Sequence, residues 1–501
     1  MTADLRASYD AFPYQSLPLR QTHPDRLATI ASLFGFAPAP VEQCRVLEIG
    51  CAAGGNLIPM AVSYPQSGFV GIDFSAVQIA EGAREVDALK LTNIQLLPLD
   101  VMAFDESWGS FDYIIAHGIY SWVPGAVQEK ILALCARHLT ASGVAMISYN
   151  TLPGWRMLAV VRDAMLFQTR GIDDPRLRVA QARATLEFLA ASVQGDESAY
   201  ARLIRLAAEN LRHKPDYYIL HEYLEVTNEP LYFHEFMSRA GRHGLRYLGD
   251  TDLRTMLSTG IAPAAEETLN RIATDLLRRE QFLDFLRNRT FRHTLLVRAG
   301  AVLDRKLAPA RIMPLRVSLA AAGEPSTGLS MADAQGRARA INAAAGAGPM
   351  AAAALDVLAA QAPLAVAFDA LFEQAARAAK PAPPDIGMER TRLASLVLQW
   401  HLADAVELHF AASSFVVEPG TRPMASPHAR RQAAIGAQVT NQRHEVVTVD
   451  DSARALLREL DGGRTAEEAA AAAWPELSRD ARSARLNKTL TMLARQALLI
   501  A

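Results

Sequence analysis

The residues with the most chemistry to offer fall at the ends of short apolar runs. In VLEIGCAAGGNL (46–57) an acid, Glu48, is followed by Gly50, Cys51, Ala52 and Gly54, and then by Asn56 as a helix-like segment begins. Glycines at such a turn let the backbone bend tightly and approach a ligand closely, and the small Ala52 keeps the route open. The next run ends in Asp73 and Phe74, where a carboxylate can accept both hydroxyls of a ribose. The third ends in Leu99, Asp100 and Val101, suited to the amino group and ring edge of an adenine. The fourth leads into AHGIYSWVP (116–124), which carries His117, Tyr120 and Trp122. Ligands of open α/β sheets bind outside the carboxyl ends of the strands, so these side chains fall beside whatever the turns hold. Each feature alone has a plainer reading. Asp73 can cap the helix at Ser75, Asp100 can be a turn residue, Tyr120 and Trp122 can be packing, and His117 a structural hydrogen-bonder. Three motifs in order at three successive strand ends make a nucleoside site.

Positioning these groups requires a parallel sheet. Between 45 and 150 the chain alternates apolar or β-branched runs with helix-length segments, which predicts strands at 45–50, 69–73, 94–98, 112–116 and 144–150. Helices are expected near 56–64, 75–89 and 125–139, and right-handed crossovers make this a doubly wound α/β sheet. From 155 to 229 the spacing is helical, which reads as an insertion. Strand-like segments at 245–248 and 290–297 then close the sheet to seven strands as a hairpin-like pair, preceded by a helix at 232–243 and split by a helical stretch at 253–286. The expected α/β domain is 1–300, with an N-terminal lid (1–40), a core (41–154), the helical insertion (155–230) and a further segment (215–300). Ala, Gly and Pro dominate 301–384, which reads as linker and small helices. In 385–501 we expect a helix at 389–410, a Pro-rich turn, a strand pair and two final helices, a winged-helix-like domain.

Composition sets outer bounds. With 501 residues, half of them hydrophobic, the chain can bury several cores. Its 51 basic and 53 acidic residues leave a net charge of −2, so no global field draws it to nucleic acid. The segment 450–501 has eight basic and eight acidic residues, which argues against DNA binding by the winged-helix-like end. Three cysteines without CxxC spacing disfavour a disulfide framework or zinc site and suit a reducing compartment. No secretory leader or membrane span is legible, so the expected location is cytoplasmic. His221, Glu222, His234 and Glu235 are metal-ligand types, but their spacing is not a helical i, i+4 pair, and a polar network tying the insertion to the sheet is the better account.

The turn reads acid, apolar residue, Gly-x-Ala-x-Gly, in place of the G-x-G-x-x-G usual for dinucleotides. It resembles the turn of class I S-adenosylmethionine-dependent methyltransferases, whose ligand has no phosphate and carries a cationic amino-acid head. YDAFPYQSLPLRQTHPDRLATIASLFG (9–35), HGIYSWVP, SYNTLPGW (148–155), the 221–250 segment beginning HEYLEVTNEP, and DFLRNRTFRHTLLVR (284–298) narrow this further. They resemble bacterial methyltransferases bearing a methyltransferase regulatory domain, including the rickettsial protein-lysine methyltransferases that modify outer-membrane proteins. SPHARRQAAIGAQVTNQRHEVVTVDD (426–451) also resembles that group's terminal domain.

The resemblance implies a Rossmann-like methyltransferase fold and S-adenosyl-L-methionine as cofactor. It implies cofactor contacts at Glu48, Gly50, Cys51, Ala52, Gly54, Asn56, Asp73, Phe74, Asp100, Val101 and His117. Tyr9, Tyr14 and His23 would form the entrance, and Tyr120, Trp122, His117 and Tyr14 are the catalytic candidates. No Asn/Asp-Pro-Pro-Tyr tetrad follows the fourth strand, and an aromatic passage there suits an aliphatic ammonium. The expected reaction is in-line transfer of methyl to lysine amines of a protein, a surface or outer-membrane protein among the candidates, by an enzyme whose insertions could support a homodimer. Two other readings stay open: a small-molecule methyltransferase, and a cofactor-sensing module that binds a partner protein without transfer.

Overall fold

The computed structural model describes residues 15–320, 331–380 and 385–501. Seven strands form the main sheet: β1 (Arg45–Ile49), β2 (Gly68–Asp73), β3 (Ile94–Pro98), β4 (Phe111–Ala116), β5 (Leu139–Asn150), β6 (Leu245–Asp250) and β7 (Phe291–Arg298). Their order is β3-β2-β1-β4-β5-β7-β6. The first five are mutually parallel, and β7 runs antiparallel between β5 and β6. Order reverses beside β1, so the crevice outside the tips of β1 and β4 is the topological switch point where such sheets bind ligands. The strand centres are buried because both faces of the sheet are covered; Leu47, Ile114, Ile115 and Ile147 are fully buried.

Helices α1 (Pro24–Leu33), α2 (Leu57–Ser63), α3 (Ala76–Leu89) and α4 (Gly125–His138) cover that sheet. Local chemistry sets their ends. α1 begins with Pro24 in its first turn behind the His23 cap, and the hydroxyl of Ser75 accepts the Gln78 N–H to start α3. The insertion is α5 (Gly154–Gln168), α6 (Pro175–Ser192), α7 (Ala199–Arg212) and α8 (Asp216–Tyr223), with a small core of its own around Val161, Ile204 and Leu220. α9 (Phe233–Arg242), α10 (Pro263–Ile272) and α11 (Leu276–Arg287) flank the β6–β7 pair. In DFLRNRTFR, Arg292 is buried with Asp250 and Asp284 each 2.8 Å away, and Arg289 lies 2.7 Å from Asp250. That motif is a paired internal ion cluster which ties α11 to the sheet edge.

The stretch expected as linker is folded. β8 (Arg316–Leu319), β9 (Val366–Ala367) and β10 (Val406–His409) form a sheet of order β10-β8-β9, covered by α12 (Met331–Ala344), α13 (Pro349–Gln361), α14 (Phe368–Ala378) and α15 (Ile386–Leu402). Its buried side chains, Val317, Leu355, Leu371 and Trp400 among them, are continuous with the core of the main sheet. The Ala-rich runs are close-packing helices, which composition alone cannot separate from linker. Nor does one helix span 389–410. α15 ends at Leu402, Asp404 turns in the left-handed region at φ 61°, and the chain continues as β10.

The C-terminal unit has a separate core around Leu456, Trp474, Leu490 and Leu493. It contains β11 (Met424–Ala425) paired with β14 (Leu499–Ile500), and β12 (Gln438–Thr440) paired with β13 (Val446–Thr448). Its helices are α16 (Pro427–Ile435), α17 (Asp451–Glu459), α18 (Ala466–Ala473) and α19 (Arg479–Arg495), three after the strand pair where two were expected. Among the described residues no helix is long and apolar enough to cross a membrane.

Candidate active site

A cavity of about 360 Å³ opens at the tips of β1, β2 and β4, within the size range of small-molecule sites. One wall is the turn after β1. The N–H groups of Gly50 and Cys51 both donate to the Ile72 carbonyl, at 2.8 and 3.1 Å, which pins the turn to β2. Ala52 sits in the left-handed region at φ 51°. Its N–H donates to Asp73 Oδ2 at 2.9 Å, while Asp73 Oδ1 accepts the Ser75 N–H at 2.9 Å. Asp73 therefore braces the turn and starts the approach to α3, yet stays on the cavity wall beside Phe74.

Glu48 is buried at the end of β1. Oε1 accepts from Asn56 Nδ2 at 2.7 Å, and Oε2 is buried without a hydrogen-bond partner. Burial is the main reason its pKa rises to about 7, with the Asn56 bond opposing and Asp73 adding to the rise. A buried, half-satisfied carboxylate on a cavity wall lacks a cation or donor, and an amino-acid ammonium supplies one.

Beyond the turn, Gly54 and Gly55 are set by close approach. A Cβ on Gly54 would lie 2.9 Å from Leu96 Cδ1, and one on Gly55 would lie 2.1 Å from the Ser16 carbonyl oxygen. The Gly55 N–H donates to Ser16 Oγ at 2.8 Å, so 15–19 closes over the turn, and Gln15, Ser16, Leu17 and Leu19 line the cavity. Gly54 itself supports from behind. Tyr9 and Tyr14 lie outside the described residues. His23 is not at this entrance; it caps α1 inside a separate charged cluster with Arg20, Glu407 and His409.

At the third strand tip the wall is Leu99 and Val101. Asp100 lies between them but turns to accept the Met102 N–H at 3.0 Å, capping a one-turn helix. At the fourth, His117, Gly118, Ile119, Trp122 and Val123 line the cavity. Tyr120 does not. It is fully buried in the core, 5.3 Å from the Phe236 ring and 6.2 Å from that of Tyr149; the one-turn helix 120–122 sets successive side chains about 120° apart, so Tyr120 and Trp122 do not share a face. His117 Nε2 lies 3.3 Å from His293 Nε2 with the rings stacked. Burial lowers their pKa values to about 3 and 4, so both are neutral and His117 is a weak proton acceptor.

The far wall comes from the insertion and β7. Tyr217, His221 and Glu222 of α8, with Phe291, line the cavity together with the strand tips. His221 Nδ1 is 3.2 Å from Glu225 Oε1. Glu222 makes no hydrogen bond or ion pair among the described residues, and burial raises its pKa to about 7 against a small opposing effect of His221. The sequence pattern placed His221 and Glu222 in a polar network, yet they belong to the cavity; HEYLE was the available signal. His234 pairs with Gln281 instead, Nδ1 to Oε1 2.9 Å. Among the described residues no group of three His, Cys, Asp or Glu is arranged to hold a metal.

A seven-stranded sheet of this order, with an acidic turn after β1 and a carboxylate after β2, defines a class I methyltransferase. Comparisons with known proteins agree. Residues 46–143 match a family described as "Methyltransferase domain", 215–298 match "Predicted methyltransferase regulatory domain", and 421–474 match "PKMT, C-terminal winged helix domain". The Rickettsia prowazekii protein RP028 is 39% identical over 243 residues, 48% of this chain and 97% of that protein. RP789 of the same organism is 44% identical over 299 residues, 60% of this chain but only 54% of that longer protein. The solved structure of PKMT2 from Rickettsia typhi in complex with AdoHcy is similar over 98% of this chain and 100% of that one, with 27% identity and a TM-score of 0.84. The chain belongs to the S-adenosylmethionine-dependent methyltransferases that carry a methyltransferase regulatory domain.

Proposed function

We propose that this protein transfers the methyl group of S-adenosylmethionine to lysine side-chain amines of a protein substrate. When bound, the cofactor supplies a methyl group on a sulfonium, an electrophile that already has a good leaving group. On this reading Glu48 takes the cofactor's ammonium, Asp73 its ribose hydroxyls, and Leu99 and Val101 flank its base. Gly50, Cys51 and Ala52 let the backbone approach the ligand, and Gly54, Asn56 and Asp100 hold the walls in shape. The segment 15–19 excludes water from above. The cytoplasm is the proposed location, a reading supported by three cysteines that are all buried and unpaired.

The observation that carries the acceptor class is Glu222. A carboxylate that makes no hydrogen bond or ion pair among the described residues, and that lines the same cavity as Trp122, Tyr217, Phe291 and Glu48, suits an incoming alkylammonium. An ammonium has no lone pair and an ordinary pKa of about 10.4, so it must lose a proton before it can attack. Glu222 holds the ammonium by charge and takes that proton; its raised pKa and the desolvation of the amine bring the two closer. The freed nitrogen then forms its bond to the methyl carbon as the carbon–sulfur bond breaks. Trp122 walls the path, and His117 holds the strand tip through His293.

The test uses wild-type protein and Glu222→Gln with tritiated cofactor and total bacterial protein, separated into envelope and soluble fractions, the label being mapped by mass spectrometry. We expect lysine ε-amines to carry it, and the variant to lose ~100-fold in rate, the scale of general-base loss, while keeping S-adenosylhomocysteine affinity. Label on envelope proteins would narrow the substrate to surface proteins. Label on carboxylates or on a small metabolite would overturn the lysine reading.

A further inference from the structure

The wall that carries Glu48 is held from behind by the C-terminal unit. The turn between β12 and β13, residues 441–445, reaches the N-termini of α1 and α2. Asn441 shapes it: Oδ1 accepts the N–H groups of Arg443 and Glu445, at 2.9 and 3.0 Å. His444 is buried at the tip in the left-handed region, φ 61°, with its ring 5.0 Å from that of His23. Its Nε2 lies 2.6 Å from Asn56 Oδ1.

The hydrogen bonds around Asn56 fix who donates. Oδ1 also accepts the Leu19 N–H at 2.9 Å, and Nδ2 donates to Thr22 Oγ1 at 2.9 Å and to Glu48 Oε1 at 2.7 Å. A backbone N–H can only donate, so the carboxamide oxygen must face Leu19, and His444 must carry its proton on Nε2 and donate. Burial keeps the ring neutral, in accord with that tautomer. All four hydrogen-bonding positions of Asn56 are filled, and one of the four partners comes from another domain. Flanking contacts hold the turn in place. Ser63 Oγ donates to Gln442 Oε1 at 2.9 Å, Arg443 lies 3.2 Å from Glu407, and on α16 Arg431 lies 2.9 Å from Glu85 of α3.

We infer that His444 is a positioning residue for the amino-acid end of the cofactor: through Asn56 it orients the Glu48 carboxylate, so the C-terminal domain completes a site that otherwise belongs to the methyltransferase sheet. The inference rests on the cofactor placement proposed above and extends it to a domain with no side chain in the cavity. A partner that shifts this domain would then change the grip on the cofactor's amino-acid end and leave the nucleoside end alone.

The test is calorimetric titration of full-length protein with two ligands, S-adenosylhomocysteine and 5′-methylthioadenosine; the second keeps the nucleoside and lacks the amino acid. His444→Ala is expected to weaken S-adenosylhomocysteine about tenfold, the scale of one charge-linked hydrogen bond, and to leave methylthioadenosine within about twofold. His444→Gln, which keeps a donor, should recover part of the loss, and in a Glu48→Gln background His444→Ala should add almost nothing. Thr448→Ala, on the adjoining strand β13 with an exposed side chain, should leave both ligands unchanged. Equal weakening of both ligands by His444→Ala and His444→Gln would mark a merely structural role and overturn the inference, as would no change in either. Wild-type protein that binds both ligands equally would overturn the placement of the amino-acid end on Glu48 itself. A wild-type preference that survives His444→Ala would overturn only the role of His444.

Discussion

Glu48 and Glu222 line the same cavity, and burial raises both to about 7, but their surroundings differ. Glu48 ends a central strand and is held by an asparagine whose every hydrogen-bonding position is filled. Glu222 lies on α8 of an inserted helical unit, among aromatic side chains, and nothing among the described residues pairs with it. The strand-tip wall is built to keep one charge in one orientation, as a ligand of constant shape requires. The helical wall leaves a carboxylate available to a group that arrives and leaves. On the proposed function, the sheet carries the cofactor while the insertion chooses the acceptor.

Two experiments on the first wall sharpen this contrast. The larger effect is expected from Asp73→Ala, which removes the ribose acceptor and the tie to Ala52. Losing two hydrogen bonds to a charged group should cost S-adenosylhomocysteine at least ~100-fold in affinity by calorimetry, the reverse of the pattern expected for Glu222→Gln. Unchanged affinity would break the assignment of this wall. A smaller effect is expected from pH. Free Glu48 is largely protonated below about 7 and must ionise to pair with an ammonium, so binding releases a proton there and affinity rises with pH. Between pH 5.5 and 7 the gain should approach tenfold per unit, and in Glu48→Gln it should vanish. A flat wild-type profile would mean that the cofactor's ammonium lies elsewhere.

The legible part of this molecule was the part governed by local rules. β1 to β5, the turn at 50–54 and Asp73 follow from strand periodicity and from the backbone demands of a tight turn, and the β6–β7 pair from two short strand-like segments, 245–248 and 290–297. Tyr120 misled because a one-turn helix after β4 turns its side chain into the core while Trp122 stays on the cavity, something spacing in a strand does not reveal. Asp100 misled because a short acid after a strand also caps a turn. Glu222 and His444 lie 174 and 396 residues beyond Glu48 in the chain, on a helix and in a hairpin turn, and tertiary packing alone brings them to the site. The sheet β10-β8-β9 was hidden in an Ala-rich stretch because its strands are four residues or fewer, too short for a pattern to emerge.

The proposed function requires one nucleoside to lie in this cavity, and a crystal structure of the protein with S-adenosylhomocysteine addresses that directly. The ribose hydroxyls are expected on Asp73, the amino group on Glu48 Oε2 and the sulfur toward Trp122 and Glu222. A ligand bound elsewhere, or one in this cavity with its ribose turned from Asp73 and its amino group toward Glu222, would contradict this expectation.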